Sequence, residues 1–278
     1  MLGVVRAATD GGRLRKLSLA GGVALNCKMN GVLAHSGLVD ELFVQPAAHD
    51  SGTALGAAMW VARQSGEDPR FVMDHAQWGP SYAREEVKKA LEIAGAAYRE
   101  DDAVEETAAE ALAAGKIVAW FDGRMEVGPR ALGGRSILAD ASRKGMNDVV
   151  NARVKFRDAW RPFCPSLTEA AAAELLDRPK EARFMTVAYP VKEERRADVP
   201  SVVHVDGTTR PQAVPASAGR YHRLLRGLGQ RTGREVVLNT SLNVKGEPIA
   251  CTPMDALRCF YTSGIDALAI EGFWIEKK

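Results

Sequence analysis

The sequence has no long hydrophobic run, no paired-cysteine spacing, no surplus of one charge and no repeated or low-complexity tract. No apolar stretch approaches the ~20 residues that span a bilayer. The N-terminus, Met1-Leu-Gly-Val-Val-Arg, lacks the layout of a secretory signal. The four cysteines, Cys27, Cys164, Cys251 and Cys259, show neither CxxC nor zinc-site spacing. They are expected to be reduced thiols of a cytoplasmic protein. A formal net charge of +2 on 278 residues lacks the strong basic bias of a nucleic-acid binder. These exclusions point to a soluble α/β protein with neither nucleic acid nor membrane as partner. Hydrophobic residues make up 46% of the chain, enough to core one large domain or two ordinary ones.

What is present centres on residues 123–165. Lys116-Ile-Val-Ala-Trp-Phe-Asp122 has the length and β-rich composition of a buried strand. A loop with Gly123, Gly128, Gly133 and Gly134 follows, carrying Arg124, Arg130 and Arg135; Lys155, Arg157 and Arg161 come soon after. Glycine turns can aim backbone N–H groups at an anion, and arginine offers a planar fork suited to phosphate or carboxylate. A solvated basic loop is the bland alternative. These arginines are interleaved with Gly, Pro, Leu and Phe, and a buried arginine without an anionic partner is costly. The pattern therefore predicts a site for a phosphorylated ligand.

Further strands are predicted over Lys16–Ala20, Glu41–Val44, Ser136–Asp140, Phe184–Tyr189, Glu235–Leu238 and Ala267–Ile270. Helices are predicted over Lys28–Ser36, Ser51–Gln64, Glu85–Ala94 and Val104–Ala114, then over Lys144–Ala152, Leu167–Leu176, Tyr221–Thr232 and Pro253–Tyr261. Gly21-Gly22 after the first strand suits a backbone approach to a nucleotide. Asp50 stands where it can cap a helix, or act as an oxygen ligand for a metal or nucleotide. Residues 201–214 resemble a hairpin turning at Asp206-Gly207. Its polar residues His204, Asp206, Thr208, Arg210 and Gln212 fall two apart, which puts them on one face, toward solvent or toward a ligand. The strand at Glu235 runs into Asn239-Thr-Ser-Leu-Asn243, hydrogen-bonding side chains at a carboxyl edge.

Taken together, six stretches resemble the NodU/CmcH/TobZ-type O-carbamoyltransferases. They are Leu-Ala-Gly-Gly-Val-Ala-Leu-Asn (19–26), His-Asp-Ser-Gly-Thr-Ala-Leu-Gly-Ala-Ala (49–58), Met-Glu-Val-Gly-Pro-Arg-Ala-Leu-Gly-Gly-Arg-Ser-Ile-Leu (125–138), Val-Lys-Phe-Arg-Asp-Ala-Trp-Arg-Pro-Phe-Cys-Pro (154–165), His-Val-Asp-Gly-Thr-Thr-Arg-Pro-Gln (204–212), and Leu-Asn-Thr-Ser-Leu-Asn (238–243) with Gly-Glu-Pro-Ile (246–249). The resemblance implies an α/β chain in two parts. Residues 1–65 would be the end of an actin-like/sugar-kinase-like (ASKHA) domain, a β-α-β-α piece. Residues 66–79 would be a linker, and 80–278 a YrdC-like domain with a twisted mixed sheet.

The implied activity is formation of carbamoyl adenylate from carbamoyl phosphate and ATP, with pyrophosphate released. The carbamoyl group then passes to a hydroxyl of a small molecule such as a sugar or antibiotic. By position, Lys155, Arg161 and Arg130 resemble the catalytic phosphate contacts. Arg210, Asn239 and Ser241 resemble the ATP and adenylate contacts, with Arg124, Arg135, Arg157, His204 and Asp206 as further substrate-binding candidates. Gly21, Gly22 and Asn26 match the nucleotide loop of the ASKHA part, and Asp50 its metal-ligand aspartate. The cofactors implied are ATP with magnesium, and iron or a similar metal at Asp50. The family's metal site also uses an HxxxH histidine pair, and none of His35, His49, His75, His204 and His222 has that spacing. A truncated or split enzyme is expected, its transfer half completed by a complementary N-terminal polypeptide. The alternatives are a non-catalytic nucleotide-binding subunit and a relative making threonylcarbamoyl adenylate.

Overall fold

The computed structural model describes every residue except Ala159, Glu181 and Lys278. Ala159 belongs to the 154–165 stretch, and that one position of the stretch lies outside the described residues.

The first 64 residues form helix α1 (Leu2–Ala8), strand β1 (Lys16–Leu19), helix α2 (Cys27–His35), strand β2 (Glu41–Val44) and helix α3 (Thr53–Gln64). β1 and β2 pair in parallel, Leu17 opposite Leu42, and α2 makes the crossover that parallel strands require. Asn26 starts α2 by accepting a hydrogen bond from the Met29 amide at 3.1 Å. Among the described residues these two strands pair with no other strand. α3 buries nothing, and its Trp60 is 66% exposed. The anchor is α2. Leu33 is fully buried, and the Asn30 amide donates to Ala24 O at 2.7 Å and to Thr186 O at 2.8 Å.

The rest of the chain begins with helix α4 (Arg84–Ile93), strand β3 (Arg99–Glu100), helix α5 (Val104–Ala113), strands β4 (Val118–Phe121) and β5 (Arg135–Asp140), and helix α6 (Met146–Val150). Strand β6 (Cys164–Thr168), helix α7 (Glu169–Leu175) and the short strands β7 (Tyr189–Pro190), β8 (Thr208–Thr209) and β9 (Gln212–Val214) follow. The chain closes with helix α8 (Arg220–Thr232), strand β10 (Val236–Ser241), helix α9 (Pro253–Thr262) and strands β11 (Ala267–Ile270) and β12 (Phe273–Glu276).

Among the described residues eight strands make one sheet in the order β3-β12-β11-β4-β5-β10-β6-β9. β4 runs parallel to β11 and β6 to β9, while the other neighbours are antiparallel. The mixed α/β class expected from the sequence is the one observed. Alternate side chains of β4 go to opposite faces. Val118 and Trp120 meet Leu112 of α5 and Leu224 and Leu228 of α8. Ala119 and Phe121 join Leu257 and Phe260 of α9. With both faces covered, each fully buried large side chain contributes about 1.5–3 kcal/mol. Among the described residues no helix is long and apolar enough to cross a membrane.

Two local expectations are corrected. Phe184–Tyr189 is a strand only from Tyr189 onward. Its backbone is drawn to α2 instead, where the Ala188 amide donates to Cys27 O at 3.0 Å. Residues 201–214 make the tight turn at Asp206-Gly207, with the His204 amide on Thr208 O at 2.7 Å. The arms do not pair as a hairpin, because β8 joins β7 and β9 joins the large sheet beside β6.

Candidate functional site

The loop from Gly123 to Gly134 is shaped from inside. The Glu126 carboxylate accepts from the amides of Leu132 (2.7 Å), Gly134 (2.6 Å) and Arg135 (3.1 Å). The amides expected to hold an external anion therefore hold Glu126, which sequence reasoning passed over. Gly128 and Gly133 have φ of 108° and 97°. A Cβ at Gly133 would overlap the Tyr221 ring, and one at Gly128 would press on Pro46 O. Both close approaches are to protein rather than to ligand.

The loop positions Arg130, and four guanidiniums gather there. Burial first, then repulsion from Arg210, pulls Arg130 down to about 10. Burial, then Arg161, holds Arg157 below its ordinary value, with Arg210 adding to the effect. Arg157 lies over the Phe163 ring at 4.1 Å and donates to Pro162 O at 3.2 Å. Among the described residues none of Arg130, Arg157, Arg161 and Arg210 forms an ion pair with a carboxylate. Arg161 lines a cleft of about 370 Å³ together with Cys27, Lys28, Phe163, His204 and Asp206. The His204 imidazole is lowered to about 4 by burial, then by Lys28 and Arg210, so it is neutral at pH 7. Asp206 is ion-paired with Lys28 and accepts from the Thr208 amide at 3.1 Å. Of the four guanidiniums Arg161 lines this cleft, and Arg130, Arg157 and Arg210 are not among its lining residues; cations without a carboxylate partner beside a cleft favour an anion.

Lys155 stands beside this cluster but is already engaged. α6 continues into a π-helical turn over Asn151–Lys155, and Phe156 follows with φ 47°. This carries the ammonium to the end of β10. It donates to Ser241 O (2.5 Å), Asn243 O (2.9 Å) and Asn243 Oδ1 (2.7 Å). Burial, with Arg157 nearby, pulls its pKa down to about 7. Asn243, the last residue of the 238–243 stretch, is, after Glu126, the second of these internal partners, and nothing in its local sequence points to Lys155.

The remaining candidates lie elsewhere. Arg135 is fully buried, stacked at 3.5 Å on Phe121 and donating to Gly123 O, Gly134 O and Pro80 O. Arg124 donates to Gly79 O and Trp78 O and lines a different cavity, of about 640 Å³. That larger cavity also holds Asp122 and Glu169, so its charge is mixed and it is the weaker anion site. Asn239 is buried on β10 and donates to Ser166 Oγ at 2.8 Å and Ala131 O at 3.1 Å. The Gly21 amide donates to Ala48 O at 2.6 Å; Gly22 opens the short turn that leads into α2, and the Asn26 side chain is spent capping α2. Asp50 is exposed in the turn before α3. Among the described residues no three His, Cys, Asp or Glu side chains gather to hold a metal. Asp50 alone does not fit a tightly bound iron.

The profile of the family described as Carbamoyltransferase C-terminus matches residues 109–277, and that of Carbamoyltransferase N-terminus matches residues 3–59. Nodulation protein NolNO of Sinorhizobium fredii is 41% identical over 95% of this chain and 40% of its own length. Nodulation protein NolO of Bradyrhizobium diazoefficiens is 40% identical over 95% of this chain and 50% of its own. The 3'-hydroxymethylcephem-O-carbamoyltransferase of Streptomyces clavuligerus is 33% identical over 94% of this chain and 49% of its own. The chain thus spans half or less of the length of these relatives. Among solved structures, full-length HypF in its phosphate- and nucleotide-bound form aligns with a TM-score of 0.44 and 22% identity, over 62% of this chain and 25% of that one. That likeness is too low to carry an argument.

Proposed function

This chain belongs to the carbamoyltransferase family, and from that premise we propose that it binds carbamoyl phosphate and ATP at the arginine cluster, where Arg161 opens into the cleft, and forms carbamoyl adenylate. The observation that carries the proposal is the gathering of Arg130, Arg157, Arg161 and Arg210 without a carboxylate partner. Adenylation with loss of pyrophosphate builds negative charge on phosphate oxygens, and fixed cations lower that barrier. Arg130 and Arg161 are the phosphate contacts, and Arg210 bridges toward the nucleotide. Lys155 acts through Ser241 and Asn243, setting the end of β10 against the donor. ATP enters with magnesium.

In this reading residues 1–65 and 80–278 are the ASKHA-derived and YrdC-like parts, joined by 66–79. Passing the carbamoyl group to a small-molecule hydroxyl is proposed to need a complementary polypeptide, since among the described residues Asp50 belongs to no group of three metal-ligating side chains. No step is routed through a metal at Asp50.

The test is pyrophosphate release from ATP. It should depend on carbamoyl phosphate and should not appear with bicarbonate plus threonine. Arg210→Ala should weaken it by roughly 10- to 100-fold, the worth of a hydrogen bond to a charged group. Folded protein that releases no pyrophosphate with either donor would sink the reading.

A further inference from the structure

Lys28 lies outside the six stretches that pointed to a site. It is the second residue of α2 and lines the cleft of about 370 Å³ from the N-terminal segment, while Arg161 and Asp206 line it from the larger part. Its ammonium is ion-paired with Asp206 and donates to Thr208 Oγ1 at 3.0 Å. The Lys28 side chain is 49% exposed and that of Asp206 45%. Water screens such a half-exposed pair, and opening it shifts an equilibrium by no more than about five-fold.

The surroundings allow the pair to open without harm. Asp206 Oδ1 accepts from the Thr208 amide at 3.1 Å and from the Thr208 hydroxyl at 2.7 Å, and it is Oδ2 that faces Lys28. If the ammonium leaves, Asp206 keeps both bonds and turns its other oxygen to water, so no buried charge is stranded. The root of Lys28 is fixed meanwhile. The Ala188 amide holds Cys27 O at 3.0 Å, and the Asn30 amide holds Thr186 O at 2.8 Å. Only the flexible four-carbon stem has to move. A phosphate group brings about two charges and three strong acceptor oxygens. Asp206 brings one charge, already shared with Thr208.

We propose that Lys28 is a phosphate-binding residue of this cleft, parked on Asp206 until a phosphorylated ligand enters and then exchanging the carboxylate for a phosphate oxygen that it shares with Arg161. The N-terminal segment thereby supplies a cation to a site whose other cations come from the larger part. Asp206 competes with the ligand and is not a contact to it. The inference rests on the donor-site reading only for the phosphorylated nature of the ligand.

The test is calorimetric titration of inorganic phosphate into the native chain and its variants, with circular dichroism to verify folding. Lys28→Ala should weaken binding roughly 10-fold, the worth of a hydrogen bond to a charged group. Lys28→Gln keeps a donor for Thr208 and should weaken it as much. Asp206→Asn keeps an acceptor for Thr208 but removes the competing charge, and should tighten binding by about 2- to 5-fold. That gain should shrink when Asp206→Asn is made in the Lys28→Ala background. A general charge effect is additive and would give the same gain in both. Equal gains overturn the proposal, as does unchanged affinity in both Lys28 variants, weaker binding in Asp206→Asn, or a native chain that takes up no phosphate. The expected pattern in a chain that releases no pyrophosphate from ATP would uphold the exchange and sink the adenylation reading alone.

Discussion

A carboxylate with 5% of its surface exposed needs donors, and Glu126 finds them in the amides of Leu132, Gly134 and Arg135. It is an anion supplied by the chain to the chain. Its purpose is geometric: the turn it closes carries Ala131 O to the Asn239 amide and Leu132 O to the Gln77 and Gln212 amides, and sets Arg130 at the cluster. Glu126→Ala leaves three backbone donors without their acceptor. At about 1–3 kcal/mol for each buried group left unsatisfied, less what water recovers, the loss should be about 3 kcal/mol or more. Urea unfolding should show it as a lower midpoint with unchanged slope. Glu126→Gln keeps an acceptor oxygen and should lose less than the alanine variant. Equal stability of Glu126→Ala and the parent would mean that the loop closes without this carboxylate.

At the scale of elements, what the sequence disclosed follows local rules. α9 is legible because Thr252, a good N-cap residue, stands before it, and the structure closes that start with a capping box between Thr252 and Asp255. β2 and β11 were legible as apolar runs bounded by turns. β6 was not, because Pro165 interrupts it, and proline argues against a central strand. Yet Pro165 lies opposite Leu238 inside the sheet. Phe184–Tyr189 has strand composition but spends its backbone on α2, a partner more than 150 positions away that no window reveals. In the site, Arg130, Arg157 and Arg161 stand out by their apolar neighbours, and Arg210 by its place among alternating polar residues. That Arg135 lies under backbone carbonyls, and that Lys155 is tied to Asn243, depends on contacts between distant segments. The α2 contact can be tested through Gly31. A Cβ there would overlap Ala188 O, a backbone atom, which no side-chain rotation relieves. Gly31→Ala should therefore destabilise, by about 1–3 kcal/mol, although alanine favours helix by up to ~1 kcal/mol. A gain in thermal stability would show that α2 is not pressed against that segment.

Over the whole molecule the question is whether residues 1–65 fold as a unit. Two paired strands are marginal by themselves, β1 is at best half-buried, and α3 buries nothing. Of the buried apolar side chains of this segment, Val5, Ala24, Leu33, Ala34, Val39, Leu42, Val44 and Ala48 belong instead to the same apolar cluster as Phe121, Ile137, Phe260 and Phe273 of the large sheet and its helix. Asn30 and Cys27 add hydrogen bonds to Thr186 and Ala188 across the junction. A shared core makes unfolding cooperative, since neither part can leave without exposing the other's apolar surface. Calorimetry should accordingly show one transition rather than two. Leu33→Ala, which empties a fully buried site of α2, should cost about 2–5 kcal/mol and move that whole transition down. Two resolved transitions, with Leu33→Ala shifting only the smaller, would mean that the N-terminal segment is a separate folding unit docked on its neighbour. The cationic cleft would then have one wall, at Cys27 and Lys28, free to move independently of the other.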